Sequence, residues 1–166
     1  IPSVLIIPTA STICTGTSTT LNTSVLSVTG TASPNVSVPD NSLTGASSSI
    51  ALAGISGNIT DISVTLNVTH RLSGELDIYL VGPANCGTLE LTTDNGAGGA
   101  NYTNTVLLVT GSNPSITTGA APFTGTFRAE GTISTAPNLT SGTGGGTYSL
   151  PANSLTGGNC PPNGTW

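Results

Sequence analysis

The feature that most limits the fold of this chain is a two-residue hydrophobic period. Residues 62–69 alternate strictly between apolar and polar side chains, and the apolar members are Ile62, Val64, Leu66 and Val68. This is the period of a strand with one buried face. Residues 76–81 and 89–91 continue the pattern, so we expect three strands in meander order, with Asp77, Tyr79 and Glu90 facing outward. Helical spacing of apolar residues is not sustained over about eleven positions anywhere, and we expect negligible helix.

Short strands are also expected in other parts of the chain, each bounded by Gly, Asn or Pro. They lie near residues 19–28, 34–38, 48–53, 105–110, 123–128 and 147–150, whereas 93–103 and 141–146 are expected to be loops. Many short strands with such turns are typical of an antiparallel, all-β jelly roll or β-sandwich. We divide the chain into an N-terminal strand segment, residues 1–31, which serves as a donor strand or linker, and a sandwich, residues 32–166.

Charged side chains are almost absent. The 166 residues include two Lys or Arg, seven Asp or Glu and one His, for a formal net charge of −5. So few cations cannot form the positive surface that phosphate backbones or anionic lipids require, which excludes nucleic acid and membrane surfaces as partners. Apolar runs stay far below the roughly 18 residues that cross a bilayer. Residues 1–8 lack a basic region and are bracketed by prolines, so we interpret them as a strand of a mature chain and not as a signal peptide.

The polar composition favours an extracellular location, secreted or on the cell surface. Hydroxyl and amide groups suit a surface that meets solvent, proteases or neighbouring copies outside a cell. Seven Asn-x-Ser/Thr triplets permit N-glycosylation there, although the abundance of Thr and Ser produces most of them by composition. The triplets begin at Asn22, Asn35, Asn58, Asn67, Asn101, Asn138 and Asn163.

The cysteines are odd in number, which in an oxidising compartment leaves one unpaired. Cys86 and Cys160 each lie in a turn-like segment rich in Gly, Asn and Pro, and Cys14 lies in the N-terminal segment. We therefore predict a Cys86–Cys160 disulfide between two loops and a free or intermolecular thiol at Cys14. The alternative is three reduced thiols, which is less common outside cells.

Four separated blocks resemble, in order, the P domain (Homo B domain) of proprotein convertases and of bacterial secreted and cell-surface proteins. The blocks are residues 59–83, 91–103, 121–128 and 163–166, and the resemblance covers residues 38–166. It implies a jelly-roll β-sandwich without catalytic activity. Such a domain stabilises an attached protease or sits among other β modules of a surface protein. Residues 1–31 are weakly similar to the opening strands of Ig-like repeats in bacterial surface proteins.

The chain departs from the family pattern at its C-terminus. The family continues past the Asn-Gly-Thr-Trp block with two more strands, so we expect the C-terminal strands of the sandwich to be missing. An unpaired edge is an aggregation hazard unless something covers it. Two explanations remain open: the chain is a fragment, or another strand fills the gap by β-strand addition. The donor is then the apolar run Val4, Leu5, Ile6 and Ile7, and donation between copies generates a filament.

Catalytic motifs are absent from the sequence, and we predict that the chain is not an enzyme. His70 is the only histidine, and the Gly-x-Ser-x-Gly motif of serine hydrolases does not occur. The Gly-rich segments 96–101 and 142–147 lack the Lys-Ser/Thr that follows a phosphate-binding loop. The cysteine spacing is not that of a zinc site.

Calcium is the one cofactor that the sequence suggests. Hard cations prefer several oxygen ligands, and a set of carboxylates and amides in or beside turns could supply them. The candidates are Asp40, Asn41, Asp77, Asp94, Asn95 and Asn101. The competing interpretation is that these side chains cap turns, as Asp and Asn do in most loops.

Three classes of function remain. The first is a structural or adhesive module of a cell-surface or filament-forming protein, whose partners are other copies of itself or neighbouring β domains. The second is an accessory domain of a secreted protease, and the third is a carbohydrate- or protein-binding module. The low charge and the incomplete sandwich favour the first class.

Overall fold

The computed structural model describes residues 4–8, 21–25, 27–142, 145–155 and 160–166. Over these ranges the chain is all-β, which confirms the predicted class. The strands are β1 (Val4–Pro8), β2 (Leu21–Val25), β3 (Ala51–Leu52), β4 (Ser63–Val68), β5 (Asp77–Val81), β6 (Thr88–Thr93), β7 (Tyr102–Leu108), β8 (Phe123–Arg128) and β9 (Gly164–Thr165). Single-turn 3-10 helices occur at Ser73–Glu75, Pro83–Asn85 and Ile116–Thr118. In the described ranges no helix has the length and apolar character needed to span a membrane.

The strands form four small sheets. Their orders are β1-β2, β3-β9, β4-β7-β8 and β5-β6. The β5-β6 pair is the antiparallel neighbour pair that the alternation predicts, but β4 pairs with β7 and not with β5, so the meander order is wrong at this step. The reason is that β4 and β5 direct their apolar side chains to one core from different sheets. Moreover, β7 and β8 pair in parallel, so the expected antiparallel pairing does not extend to every strand.

Aromatic and aliphatic side chains from β6, β7 and β8 form the centre of the core. Tyr102 and Phe123 stack with ring centroids 4.9 Å apart, and Phe127 meets Phe123 edge-on at 5.9 Å. Leu89 and Leu107 are fully buried beside them. The alternating apolar residues of β4 are half-buried and pack against this core, as does Ile62 just before the strand; those of β4 are Val64, Leu66 and Val68. The predicted one-sided burial of β4 is therefore confirmed.

Two predicted strands do not form. Residues 34–38 are exposed and in no strand, because Pro34 and Pro39 bracket them and proline donates no ladder hydrogen bond. Residues 147–150 make only an isolated bridge, between Thr140 and Thr147. The other predicted ranges each overlap a strand: β8 matches 123–128, β7 begins three residues before the predicted 105, and β2 and β3 are shorter than the predicted 19–28 and 48–53.

The disulfide prediction is confirmed. Cys86 and Cys160 are bonded, with their Cα atoms 5.1 Å apart and a sequence separation of 74. The bond joins the turn that follows β5 to the segment that leads into β9. Cys14 lies outside the described residues.

The two ends of the described chain are each paired. β1 pairs antiparallel with β2 over all five residues, and its role as a donor strand stays a prediction. β9 pairs with β3, and the ladder continues through reciprocal backbone hydrogen bonds of 2.8 Å between Ile50 and Trp166. The side chain of Asn163 extends it further, since its amide accepts from Ile55 N at 2.8 Å and donates to Ile55 O at 2.7 Å.

Candidate functional site

The outward side of the β5-β6 pair carries a group of tyrosines and carboxylates, which we call the tyrosine–carboxylate cluster. Asp77 and Tyr79 come from β5, where the two-residue period places them opposite the core face. Glu90 comes from β6 and Asp94 follows that strand directly, whereas Tyr148 comes from a segment 71 residues beyond Asp77. The cluster therefore joins one supersecondary unit to a distant part of the chain.

Hydrogen bonds hold the cluster together. The Tyr148 hydroxyl donates to Asp77 Oδ2 at 2.5 Å, and the backbone N–H of Asp94 donates to Asp77 Oδ1 at 3.2 Å. The Tyr79 hydroxyl donates to the carbonyl of Asn138 at 2.8 Å. The two tyrosine rings are tilted by 59° with centroids 5.6 Å apart. Both phenols thus act as donors while their rings remain half-buried.

The electrostatics of the cluster favour protonated phenols. Burial, then repulsion from Asp77 and Glu90, raises the pKa of Tyr79 above its ordinary value. Burial, then the hydrogen bond to Asp77, raises the pKa of Tyr148. Desolvation, then repulsion from Asp77, raises the pKa of the Asp94 carboxyl. At neutral pH the cluster therefore presents a negatively charged surface, on which the two phenols stay protonated and act as hydrogen-bond donors.

A second carboxylate arrangement closes the loop after β6. Glu130 Oε2 accepts from the backbone N–H and hydroxyl of Thr93 and from the side-chain amide of Asn95, the last at 2.8 Å. Glu90 Oε1 accepts from the Thr93 hydroxyl at 2.9 Å. These bonds fix the loop 94–101 against β6, which is a structural role.

The structure brings together only some of the residues predicted to bind calcium. Asp77 and Asp94 are adjacent, but Asn95 turns to Glu130. The Asn101 side chain accepts from the backbone N–H of His70 at 3.0 Å. In the part of the chain that the structure describes, no group of three or more His, Cys, Asp or Glu side chains is placed to hold a metal. Asn95 and Asn101 thus stabilise turns, and calcium binding stays a prediction.

The histidine has a local structural contact. His70 Nδ1 lies 2.7 Å from the carbonyl oxygen of Leu72, within the turn that leads out of β4. Its backbone carbonyl also accepts from Asn101 N at 3.2 Å. These contacts join the turn after β4 to the loop before β7.

The glycosylation triplets differ in their surroundings. Asn35 and Asn58 are exposed in irregular segments. Four other asparagine side chains hydrogen-bond to the chain, at Asn67, Asn101, Asn138 and Asn163. Asn22 lies in β2, and its side chain is outside the described part of the structure.

A long groove lies beside the cluster, and we call it the β4–β5 groove. Its lining includes the segment 32–50 on one hand and residues of β4 and β5, with Glu75 just before β5, on the other. Its volume is about 1680 Å³, which exceeds the roughly 300–1,000 Å³ of small-molecule pockets. Asp40 and Asn41 of the calcium prediction belong to the segment 32–50. The groove has the size for a polypeptide segment.

Sequence reasoning identified Asp77 and Asp94 and placed Tyr79 on the outward face, but it missed Tyr148, whose hydroxyl donates to Asp77. The period of β5 and β6 places Asp77, Tyr79 and Glu90 on one face, so that three of the five cluster residues have a sequence signal. Tyr148 has none, because its neighbours are set by a return of the chain from 71 residues away.

Comparison with known proteins yields no relative, since no protein-family model, curated protein or solved structure matches this chain. Conclusions about function therefore depend on the sequence blocks and on the geometry given above.

Proposed function

We propose that this chain is a non-catalytic extracellular module with a structural or adhesive role in a cell-surface or filament-forming protein. The observation that carries the proposal is the division of the described strands into four sheets of only two or three strands. Two-stranded sheets are marginally stable alone, and free strand edges pair readily with other chains. A module of this kind is completed by neighbouring β structure.

The composition of the surface supports close packing between copies. Only 5% of the residues are charged, so long-range repulsion between copies is weak. The Cys86–Cys160 disulfide suits an oxidising extracellular compartment. Both features agree with assembly outside the cell.

Strand β1 is the proposed joining element. Its residues Val4 to Ile7 are apolar, and no Asp, Glu, Lys or Arg occurs before Asp40. Among the described strands β1 pairs only with β2, and its other edge is the one proposed to receive a strand of the next copy. Such a head-to-tail contact does not close on itself and extends into a filament. Cys14, six residues after Pro8, is the proposed intermolecular thiol.

Electron microscopy and size-exclusion chromatography of three proteins test the proposal. The first is the unaltered chain, for which we expect filaments or large oligomers. The second carries Leu5→Asp and Ile7→Asp, which place two charges in β1 and are expected to give monomers. The matched control carries Ala120→Asp and Ala136→Asp, at exposed positions outside strands, and is expected to assemble normally. The proposal is wrong if the unaltered chain is monomeric or if both variants assemble equally.

The finer fold and family are part of the same proposal. We infer that residues 38–166 form a P-domain-like jelly-roll β-sandwich, which the four sequence blocks support. That family also includes accessory domains of secreted proteases, so the alternative function is stabilisation of an attached protease. Mass spectrometry of the native polypeptide distinguishes the two, because a protease domain in the same chain supports the alternative.

A further inference from the structure

We propose that the β4–β5 groove binds an extended, arginine- or lysine-bearing segment of another protein, which adds as a strand to a free edge of β4 or β5. The inference deepens the proposed function and depends on it in one respect, since a non-catalytic module acts by binding. The occupant proposed for the groove is a segment of another protein, whereas the strand proposed to pair with β1 belongs to a second copy of this chain.

Strand edges supply the first argument. In the described sheets β4 pairs only with β7, and β5 pairs only with β6, so each strand presents one edge without a ladder partner. Both strands line the groove. An extended peptide can therefore gain main-chain hydrogen bonds there, which is the basis of β-strand addition. The half-buried Val64, Leu66 and Ile78 offer apolar contacts for alternate side chains of that peptide.

Charge supplies the second argument and selects the occupant. Four of the seven acidic residues of the chain line the groove, and they are Asp40, Glu75, Asp77 and Asp94. Neither arginine lines it. Asp77 and Asp94 are adjacent, Glu75 precedes β5, and Asp40 belongs to the segment 32–50, so the carboxylates come from three separate parts of the groove lining. A cationic strand is the complementary partner.

A second copy of this chain fits the groove less well. The chain carries only Arg71 and Arg128 as cations. Strand β1 is uncharged and gains nothing from the carboxylates. Tyr148 and Trp166 also line the groove, and aromatic rings attract arginine and lysine. The charge pattern thus favours a different, basic polypeptide.

Fluorescence anisotropy with defined peptides tests the proposal on the full chain with its disulfide intact. The probe is a labelled decapeptide of alternating arginine and valine. Three comparison peptides are the glutamate–valine analogue, the basic peptide N-methylated at every residue, and residues 1–10 of this chain. We expect the basic probe to bind and the acidic analogue not to bind. N-methylation keeps the charge but removes N–H donors, so we expect affinity to fall at least about tenfold.

Two variants with equal loss of charge locate the site. Glu75→Gln removes one exposed groove carboxylate and is expected to weaken binding about two- to threefold at low salt. Asp61→Asn removes one exposed carboxylate outside the groove and is expected to leave binding unchanged. Circular dichroism confirms that both variants fold.

Each remaining outcome overturns the proposal. Equal binding by the N-methylated peptide, or equal losses in both variants, would mean non-specific charge attraction. Tighter binding by the 1–10 peptide would identify a second copy as the occupant. Failure of the basic probe to bind would reject the groove as a peptide site. Filament formation is measured separately, by electron microscopy and size-exclusion chromatography. The peptide-binding result can therefore be interpreted even if the assembly proposal fails.

Discussion

The Tyr148 hydroxyl donates a hydrogen bond to the carboxylate of Asp77 across 71 residues of sequence. This contact attaches the segment 145–155 to the outward face of β5. It also places the Tyr148 ring beside Tyr79 and beside the β4–β5 groove. One bond thus links the tertiary packing of the chain to its candidate binding surface.

Removal of this bond should destabilise the fold. In Tyr148→Phe the ring stays and the donor to a charged acceptor is lost. Hydrogen bonds to charged groups contribute about 1.5–3 kcal/mol, and partial exposure reduces this to about 1–2 kcal/mol here. The measurement is the free energy of unfolding in urea.

Tyr79→Phe is the control for Tyr148→Phe. It loses a hydrogen bond to a neutral carbonyl, that of Asn138, which contributes about 0.5–1.5 kcal/mol. A larger cost for Tyr79→Phe than for Tyr148→Phe would contradict the importance given to the Asp77 contact.

The folded chain should show no tyrosine that titrates near pH 10. Its three tyrosines are Tyr79, Tyr102 and Tyr148, and burial is the first cause that raises the pKa of each. A raised pKa of an acid means that the folded state holds the proton more tightly. Stability is therefore present below the unfolded pKa of about 10 and declines as pH rises above it.

Absorbance at 295 nm after a pH jump measures this titration. We expect no phenolate signal from the folded chain between pH 9 and about 11, and the signal of three phenols once the chain unfolds. The same chain in denaturant should titrate near pH 10. A phenolate step at pH 10 without unfolding would show that a phenol is freely solvated.

Asp94 should destabilise the fold at neutral pH. Its pKa is raised from 3.8 by desolvation and by Asp77, so between 3.8 and the raised value the folded state binds more protons than the unfolded state. The contribution of this group to stability then falls as pH rises through that window. Asp94→Asn should therefore raise Tm at pH 7, and its advantage should disappear at pH 3.

Thermal unfolding of both proteins at pH 3 and pH 7 checks the Asp94 prediction. Asp61→Asn is the control for the loss of one carboxylate outside the cluster. The Asp61 carboxyl accepts a hydrogen bond from Ile62 N, just before β4. An unchanged or lower Tm for Asp94→Asn at pH 7 would refute the destabilising role.

The Cys86–Cys160 disulfide should contribute strongly to stability. It closes a loop of 74 residues, and cross-links of this kind contribute about 2–4 kcal/mol by restricting the unfolded chain. Cys86→Ser with Cys160→Ser should lower the free energy of unfolding by this amount. Urea denaturation measures it.

Cys14→Ser is the matched control for the disulfide, and it should leave the unfolding free energy of the monomer unchanged. Alkylation without reductant, followed by intact-mass measurement, should leave Cys86 and Cys160 unmodified, and it should modify Cys14 only in chains in which that thiol forms no intermolecular disulfide. Three modified cysteines would show that the bond does not form in solution.

Local patterns were sufficient for much of the fold. Ile62, Val64, Leu66 and Val68 predict β4 because the period of a half-buried strand is a property of neighbouring residues. The turn-rich surroundings of Cys86 and Cys160 led to the correct disulfide. At 34–38, by contrast, the sequence pattern predicted a strand that does not form, because the prolines at 34 and 39 have no N–H to donate to a ladder.

Contacts between distant segments could not be read in this way. The sequence contains no signal that Tyr148 reaches Asp77, or that Asn95 turns to Glu130 and so leaves the predicted calcium set. The pairing of β4 with β7 depends on how apolar faces share the core around Tyr102 and Phe123, and such packing is a property of the whole chain.

The sequence by itself determined an all-β chain of low charge, with most of its strands, its outward carboxylates and its disulfide, because period, turn chemistry and composition act over a few residues. Only the tertiary structure decided which strands pair, which carboxylates line the β4–β5 groove and which tyrosine bonds to Asp77. The physical reason is that burial of a common core brings together residues 70 or more positions apart, and no local preference encodes that choice.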